Sequence, residues 1–157
     1  MRLTKRTNLA FRVLMFCGIH SDRLATKAEI AERCNTSESH LAQVVNQLAQ
    51  LGYLHTRRGR SGGLRLARPM REIAVGAVFR DLEVPTHHTE CLADTDDTCP
   101  LSDSCRLRDA LADAAEAFFT HLDAMTLEDL ICGNDALAGF FAQMGCSRRL
   151  ETTRTAY

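Results

Sequence analysis

A mainly α-helical fold built on a winged helix-turn-helix is predicted by three observations. Two capped amphipathic segments, around residues 27–33 and 38–51, are separated only by a tight turn. A basic hairpin punctuated by glycines follows them directly. Further on, a turn-rich stretch with three cysteines leads into the longest amphipathic segment of the chain. At 157 residues the chain can bury about 68–70% of the surface its unfolded form exposes, so it needs no disulfide staple to fold.

Each element has its own signal. Thr7 is placed to cap a first helix running to about His20, with Leu9, Val13, Phe16 and Cys17 at helical spacing. Ser21-Asp22-Arg23 breaks that helix. Thr26 caps a short helix from Lys27 to Arg33, and Glu29 three residues on completes a capping box. Cys34-Asn35-Thr36 forms the tight turn, and Ser37 caps a third helix through about Leu51, whose apolar stripe is Leu41, Val44, Val45 and Leu48. Gly52 ends it. Two short alternating runs, 53–58 and 64–67, flank Gly59-Arg60-Ser61-Gly62-Gly63 and read as a β-hairpin. Glu72 to Leu82 is expected to be helical, residues 84–104 an acidic loop, and Cys105 to Met125 the longest helix, with Leu107, Leu111, Ala114, Ala115, Phe118, Leu122 and Met125 along one face. Brief helices over Thr126 to Ile131 and Asn134 to Met144 precede a polar tail.

The near-zero net charge hides an asymmetry. Residues 1–71 hold 13 Lys and Arg against 4 Asp and Glu, whereas residues 72–157 hold 6 against 16. A basic half joined to an acidic one suits a polyanion-binding module fused to a segment that stays off the polyanion. The segment after Met1 shows no signal-peptide pattern, and no apolar run approaches the ~18 residues needed to cross a bilayer. A cytoplasmic protein is therefore expected, and its seven cysteines are expected to serve metal or redox chemistry rather than bridges. No nucleophile motif, phosphate loop or paired acid and base appears, so the chain does not read as an enzyme.

In a winged helix-turn-helix the second helix of the pair enters the major groove. Its first turn and outer face carry Ser37, Ser39, His40, Gln43, Asn46 and Gln47, short or planar hydrogen-bonding groups suited to base edges. The hairpin supplies Arg57, Arg58, Arg60 and Ser61, with Gly62 and Gly63 allowing close backbone approach to a phosphate or entry into the minor groove. Each feature alone is an ordinary solvent face or turn. Their conjunction inside the basic half points to double-stranded DNA as the partner.

Cys91, Cys99 and Cys105 are spaced C-x7-C-x5-C. Thiolates at that spacing can converge on one centre and select an iron–sulfur cluster, zinc or copper(I). The CxxC knuckles of structural zinc are absent, although His87 or His88 could complete a Cys3His site. Free or redox-active thiols remain a third reading. Cys17, Cys34, Cys132 and Cys146 read as structural.

Three features together resemble the Rrf2 family of bacterial iron–sulfur winged-helix repressors over about residues 1–140. They are the opening Met1-Arg2-Leu3-Thr4, the wing Arg58-Gly59-Arg60-Ser61-Gly62-Gly63-Leu64-Arg65-Leu66-Ala67-Arg68-Pro69, and the three-cysteine loop. The resemblance implies a homodimer with a long dimerisation helix and a cluster bound by Cys91, Cys99 and Cys105, with 4Fe–4S expected over 2Fe–2S. It also implies an organisation: residues 1–83 as the DNA-binding domain, 84–104 as the cluster-binding loop, 105–144 as the dimerisation helix and C-terminal helices, and 145–157 as a flexible tail. Within the family, residues 39–48, Cys105-Arg106-Leu107 and residues 122–130 look like the nitric-oxide-sensing branch. That branch implies an operator-binding repressor with nitric oxide as effector. The iron-responsive branch shares the cysteine spacing and an Asn at position eight and is the alternative; a zinc or thiol redox regulator is another. The cluster-assembly branch carries a His shortly after the third cysteine, where this chain has Arg106, Leu107 and Arg108. Some members take a fourth ligand from an N-terminal aspartate across the dimer. Here that position is Asn8, a neutral amide and a poor iron ligand, leaving water, the Asn8 oxygen or another residue to complete the site.

Overall fold

Thr4, not Thr7, caps the first helix in the computed structural model, which describes residues 4–59, 62–83 and 105–141. Helix α1 (Lys5–Ile19) starts where the Thr7 N–H donates to Thr4 Oγ1 at 3.2 Å. Thr7 is fully buried, one turn inside the helix. The Thr4 N–H and hydroxyl both donate to Glu83 Oε1, at 2.9 and 2.8 Å, so the start of the chain is tied to a residue 79 positions away. A local capping signal carries no trace of such a contact. Nine of the 15 residues of α1 are buried, on more than one face, which makes it the central helix.

Helix α2 (Lys27–Arg33) and helix α3 (Glu38–Gln50) form the helix-turn-helix. Thr26 caps α2 through the Glu29 N–H, and the Thr26 backbone N–H in turn helps hold the Glu29 carboxyl below its ordinary pKa. The Glu29 carboxylate also receives two hydrogen bonds from Arg23. Asn35 makes the turn with φ of 49°, in the left-handed region that Asn tolerates. Leu41, Val44, Val45 and Leu48 of α3 are all fully buried. The helix ends in a Schellman motif: the Gly52 N–H donates to Ala49 O and the Tyr53 N–H to Leu48 O, with Gly52 at φ of +74°.

Strands β1 (Leu54–Arg57) and β2 (Gly63–Leu66) pair antiparallel, with Leu54 opposite Leu66 and His55 opposite Arg65. Ala25 adds a short third edge by bonding to Leu64 in both directions, at 2.9 and 2.8 Å. A 3-10 turn over Met70–Glu72 follows, and helix α4 (Val75–Leu82) begins three residues later than the expected Glu72. The delay has a long-range cause. Ile73 and Ala74 are extended because they bridge to the segment around Thr126, through Val75 N–H to Met125 O and Leu127 N–H to Ile73 O.

Helix α5 (Arg106–Asp123) is the longest and packs on α4. Phe79 meets Phe118 and Phe119 edge-on at 5.4 and 6.2 Å, and Arg80 donates from its two terminal nitrogens, Nη1 and Nη2, to the two oxygens of the Asp123 carboxylate. Helix α6 (Leu127–Ile131) carries a complete capping box between Thr126 and Asp129 and buries Leu127 and Ile131. In helix α7 (Asp135–Phe141), Phe141 lies edge-on to Phe16 at 5.4 Å. The last two helices thus return to the core around α1. No helix among the described residues is long and apolar enough to cross a membrane.

Candidate nucleic-acid interface and cysteine site

Burial of the Leu41–Leu48 stripe fixes which face of α3 is presented outward. Ser39, His40, Gln43 and Asn46 are exposed along it, as expected for a base-reading face. Ser37 is also exposed, but its Oγ is engaged as the helix cap, accepting from the His40 N–H at 3.3 Å. Gln47 departs from the expectation. It is half-buried, and its Oε1 is enclosed with no hydrogen-bond partner, because position 47 borders the buried Val44 and Leu48.

The wing closes one side of this face. Arg57, Arg58 and Gly59 are exposed, whereas Arg60 and Ser61 lie outside the described residues. A concavity of about 340 Å³ separates wing from helix, lined by Asn46 on α3, Thr26 and Lys27 at the start of α2, and Arg57, Arg58, Gly59, Gly62 and Gly63 on the hairpin. Two cationic side chains of the wing, a lysine from a second element and an amide from the reading helix therefore face one space. Lys27 was not singled out from the sequence; its place directly after the Thr26 cap, opposite the wing, depends on the Ala25–Leu64 bridge that fixes the hairpin beside α2. Gly63 has a packing reason of its own: a Cβ there would lie 2.8 Å from Ala25 O and from Leu24 Cβ. Its small size holds the hairpin against the 24–25 segment.

At the C-terminal end of α3, Arg68 donates to Gly52 O and Leu51 O and lies over the Tyr53 ring, 4.6 Å from its centre. Tyr53 in turn donates to Asp81 on α4 at 2.6 Å. Burial first, then the neighbouring Asp81 carboxylate, pushes the Tyr53 hydroxyl pKa up. The chain Arg68–Tyr53–Asp81 anchors the end of α3 to the hairpin and to α4.

The thiols divide by environment. Cys17 and Cys34 are buried, and burial pushes the Cys17 pKa up to about 12. Cys34 is also raised by burial, with Arg12 pulling the other way. Both are inert packing groups. Cys132 is disulfide-bonded, contrary to the expectation that no cysteine bridges; a bridge requires a second cysteine Cα within about 7 Å, a proximity no local pattern announces. Cys105 is a free, half-buried thiol at the N-cap of α5. Cys91, Cys99, Cys146, His87 and His88 lie outside the described residues, and no cluster of metal-ligating side chains occurs among the described ones. Asn8 is exposed on α1 and shares a cleft of about 420 Å³ with Arg12, Cys34 and His40.

A family model described as "Rrf2: Iron-dependent Transcriptional regulator" matches residues 3–133, spanning the helix-turn-helix, the wing and all three spaced cysteines. The chain belongs to the Rrf2 family. It is a DNA-binding transcriptional regulator rather than an enzyme. Among similar proteins is the HTH-type transcriptional regulator NsrR of Geobacillus kaustophilus, 46% identical over 132 residues, covering 83% of this chain and 90% of that one. The HTH-type transcriptional repressor NsrR of Streptomyces coelicolor is 43% identical over 134 residues, covering 83% and 88%. The regulator's fold is also that of T. potens IscR, with a TM-score of 0.66 at 23% identity over 92% of this chain and 94% of that one.

Proposed function

We propose that this regulator is a cytoplasmic, homodimeric repressor whose operator binding depends on an iron–sulfur cluster held by Cys91, Cys99 and Cys105 and is relieved by nitric oxide. The observation that carries the reading is the thiolate set: three soft donors in one segment, inside the family match, whose downstream member Cys105 is free and half-buried. That environment fits cluster ligation, whereas Cys17 and Cys34 are shut in the core. The resemblance to the nitric-oxide-sensing branch and the NsrR names of similar regulators support this branch.

When bound, the cluster would supply iron atoms that react with nitric oxide, and the family resemblance implies 4Fe–4S over 2Fe–2S. The chain's own residues do the rest. Ser39, His40, Gln43 and Asn46 read base edges in the major groove. Arg57, Arg58 and Arg60, with Ser61, Gly62 and Gly63 shaping the tip, hold the adjacent backbone and minor groove; Ser37 sets the start of the reading helix. Residues 84–104 form the cluster loop between a DNA-binding domain of residues 1–83 and the dimerisation helix. Asn8 of the partner subunit brings a neutral group to the fourth position. The description of the family as iron-dependent favours a second reading, in which cluster status reports iron supply.

Substituting Cys91, Cys99 or Cys105 by Ala tests the assignment. Each variant is expected to fold and to lose both the charge-transfer absorption of the anaerobic protein and tight operator binding, while Cys17→Ala keeps both. A normal cluster spectrum in Cys91→Ala overturns the ligand set.

A further inference from the structure

The outer face of the hairpin carries a basic groove that the base-reading surface does not use. His55 and Arg65 are cross-strand partners and both exposed, so their side chains stand together on the face away from the buried Leu54 and Leu64. Two adjoining cavities of about 530 Å³ each run along this face and share Ser21, His55 and Arg65. Arg57 lines the groove toward the wing tip, and Arg71 lines it at the far end.

The cations differ in what they are free to do. Arg23 is held by Glu29, and Arg68 is committed to the end of α3. Arg57, Arg65 and Arg71 are exposed and enter no ion pair among the described residues. Two carboxylates, Asp22 and Glu128, stand on the rim. Three uncommitted guanidinium groups and an imidazole along one open groove match a polyanion rather than a small acid, since the groove has no enclosed end to hold one. Arg57 decides which polyanion. It lines both this groove and the concavity between wing and reading helix, so the basic stripe continues the DNA-facing surface around the hairpin.

We propose that this groove binds the phosphate backbone of duplex DNA flanking the operator, so that the regulator's footprint extends past the segment its reading helices contact. The proposal rests on the operator-binding reading above. Contacts of this kind add affinity and salt dependence without adding sequence preference.

The test uses full-length, anaerobically isolated protein and the duplex it enriches from a random-sequence library. That duplex is compared in its minimal form and with about one extra helical turn, roughly 10 base pairs, on each side. The wild type is expected to bind the extended duplex roughly tenfold tighter at moderate salt, with a salt slope steeper by about 0.9 for each added phosphate contact. Arg65→Ala/Arg71→Ala should erase that difference and leave binding to the minimal duplex unchanged. Arg65→Lys/Arg71→Lys should restore most of it, because a phosphate accepts either cation. Failure to enrich any duplex overturns operator binding and this proposal with it. Specific binding with no flank dependence overturns the groove alone, as does an equal loss on both duplexes. Flank dependence that survives in the double Ala variant also overturns it and leaves the groove to an acidic protein partner.

Discussion

Helices α1 and α5 are the two long helices of the molecule, and they are buried in opposite ways. Nine of the 15 residues of α1 are buried, and α3, α4, α6 and α7 all pack on it. None of the 18 residues of α5 is buried. Its apolar stripe is only half covered by α4, and Leu107 is left 66% exposed. The chain covers most of α1, so that helix is a scaffold. Among the described residues α5 is left unfinished, and an amphipathic helix in that condition needs a second apolar surface. The dimer proposed above supplies it from a second copy of the same helix.

The largest expected effect separates these helices directly. Phe16→Ala should cost about 3–5 kcal/mol in urea denaturation, whereas Leu107→Ala should stay within about 0.5 kcal/mol when measured on monomeric protein. Equal losses would break the contrast. Leu111→Asp sharpens it from the other side. The wild type is expected to sediment as a dimer at micromolar concentration, and the variant as a folded monomer; a concentration-independent wild-type monomer contradicts the assignment of α5.

The joint between the two regions is the next place to press. Gly76 on α4 faces Asp123 on α5 so closely that a Cβ would lie 2.9 Å from the Asp123 backbone nitrogen and collide with its carboxylate. Gly76→Ala should therefore cost about 1–3 kcal/mol by forcing the helices apart, read as a lower melting temperature. On the DNA-binding side, Arg58→Ala should leave stability unchanged and reduce the salt slope of DNA binding by about one.

The smallest effect is a pH dependence confined to the helix-turn-helix. Hydrogen bonds from Arg23 hold the Glu29 carboxyl below its ordinary value of 4.5. A depressed carboxylate contributes stability above its unfolded pKa and loses it as the pH falls through the lower folded value. The contribution should therefore be intact from neutral pH down to about 4.5 and disappear in more acidic solution, and Arg23→Ala should remove most of it. The pair is partly exposed, at 41% and 31%, so the effect should be under about 1 kcal/mol.

Much of this was legible in the sequence because it depends on near neighbours. The Ser37 cap, the Leu41–Leu48 stripe and the Gly52 stop are local signals, and each appears where it was expected. The outward face of α3, proposed above to read bases, follows from the same stripe by elimination. What local patterns missed has long-range causes. The Thr4 cap of α1 is tied to Glu83, the start of α4 at Val75 depends on the bridge to Thr126, and Lys27 joins the concavity beside the wing because Ala25 pairs with Leu64. Glu29 has the spacing of a capping box with Thr26, but nothing local announces that its carboxylate is also paired with Arg23, six residues away. The cysteine spacing was equally plain, but spacing alone left zinc, free thiols and a cluster open, since it fixes the donors and not the ion.

The central claim is that an intact cluster sets the DNA-binding state of the folded module and that nitric oxide removes it. The most direct measurement is anaerobic titration of the brown, full-length protein with nitric oxide, following visible absorption and binding to its selected operator duplex in the same samples. Absorption and operator affinity are expected to fall together, at a few equivalents of nitric oxide per dimer, while far-ultraviolet circular dichroism stays unchanged. A colourless, zinc-containing protein, or undiminished operator binding after the absorption has been lost, would contradict it.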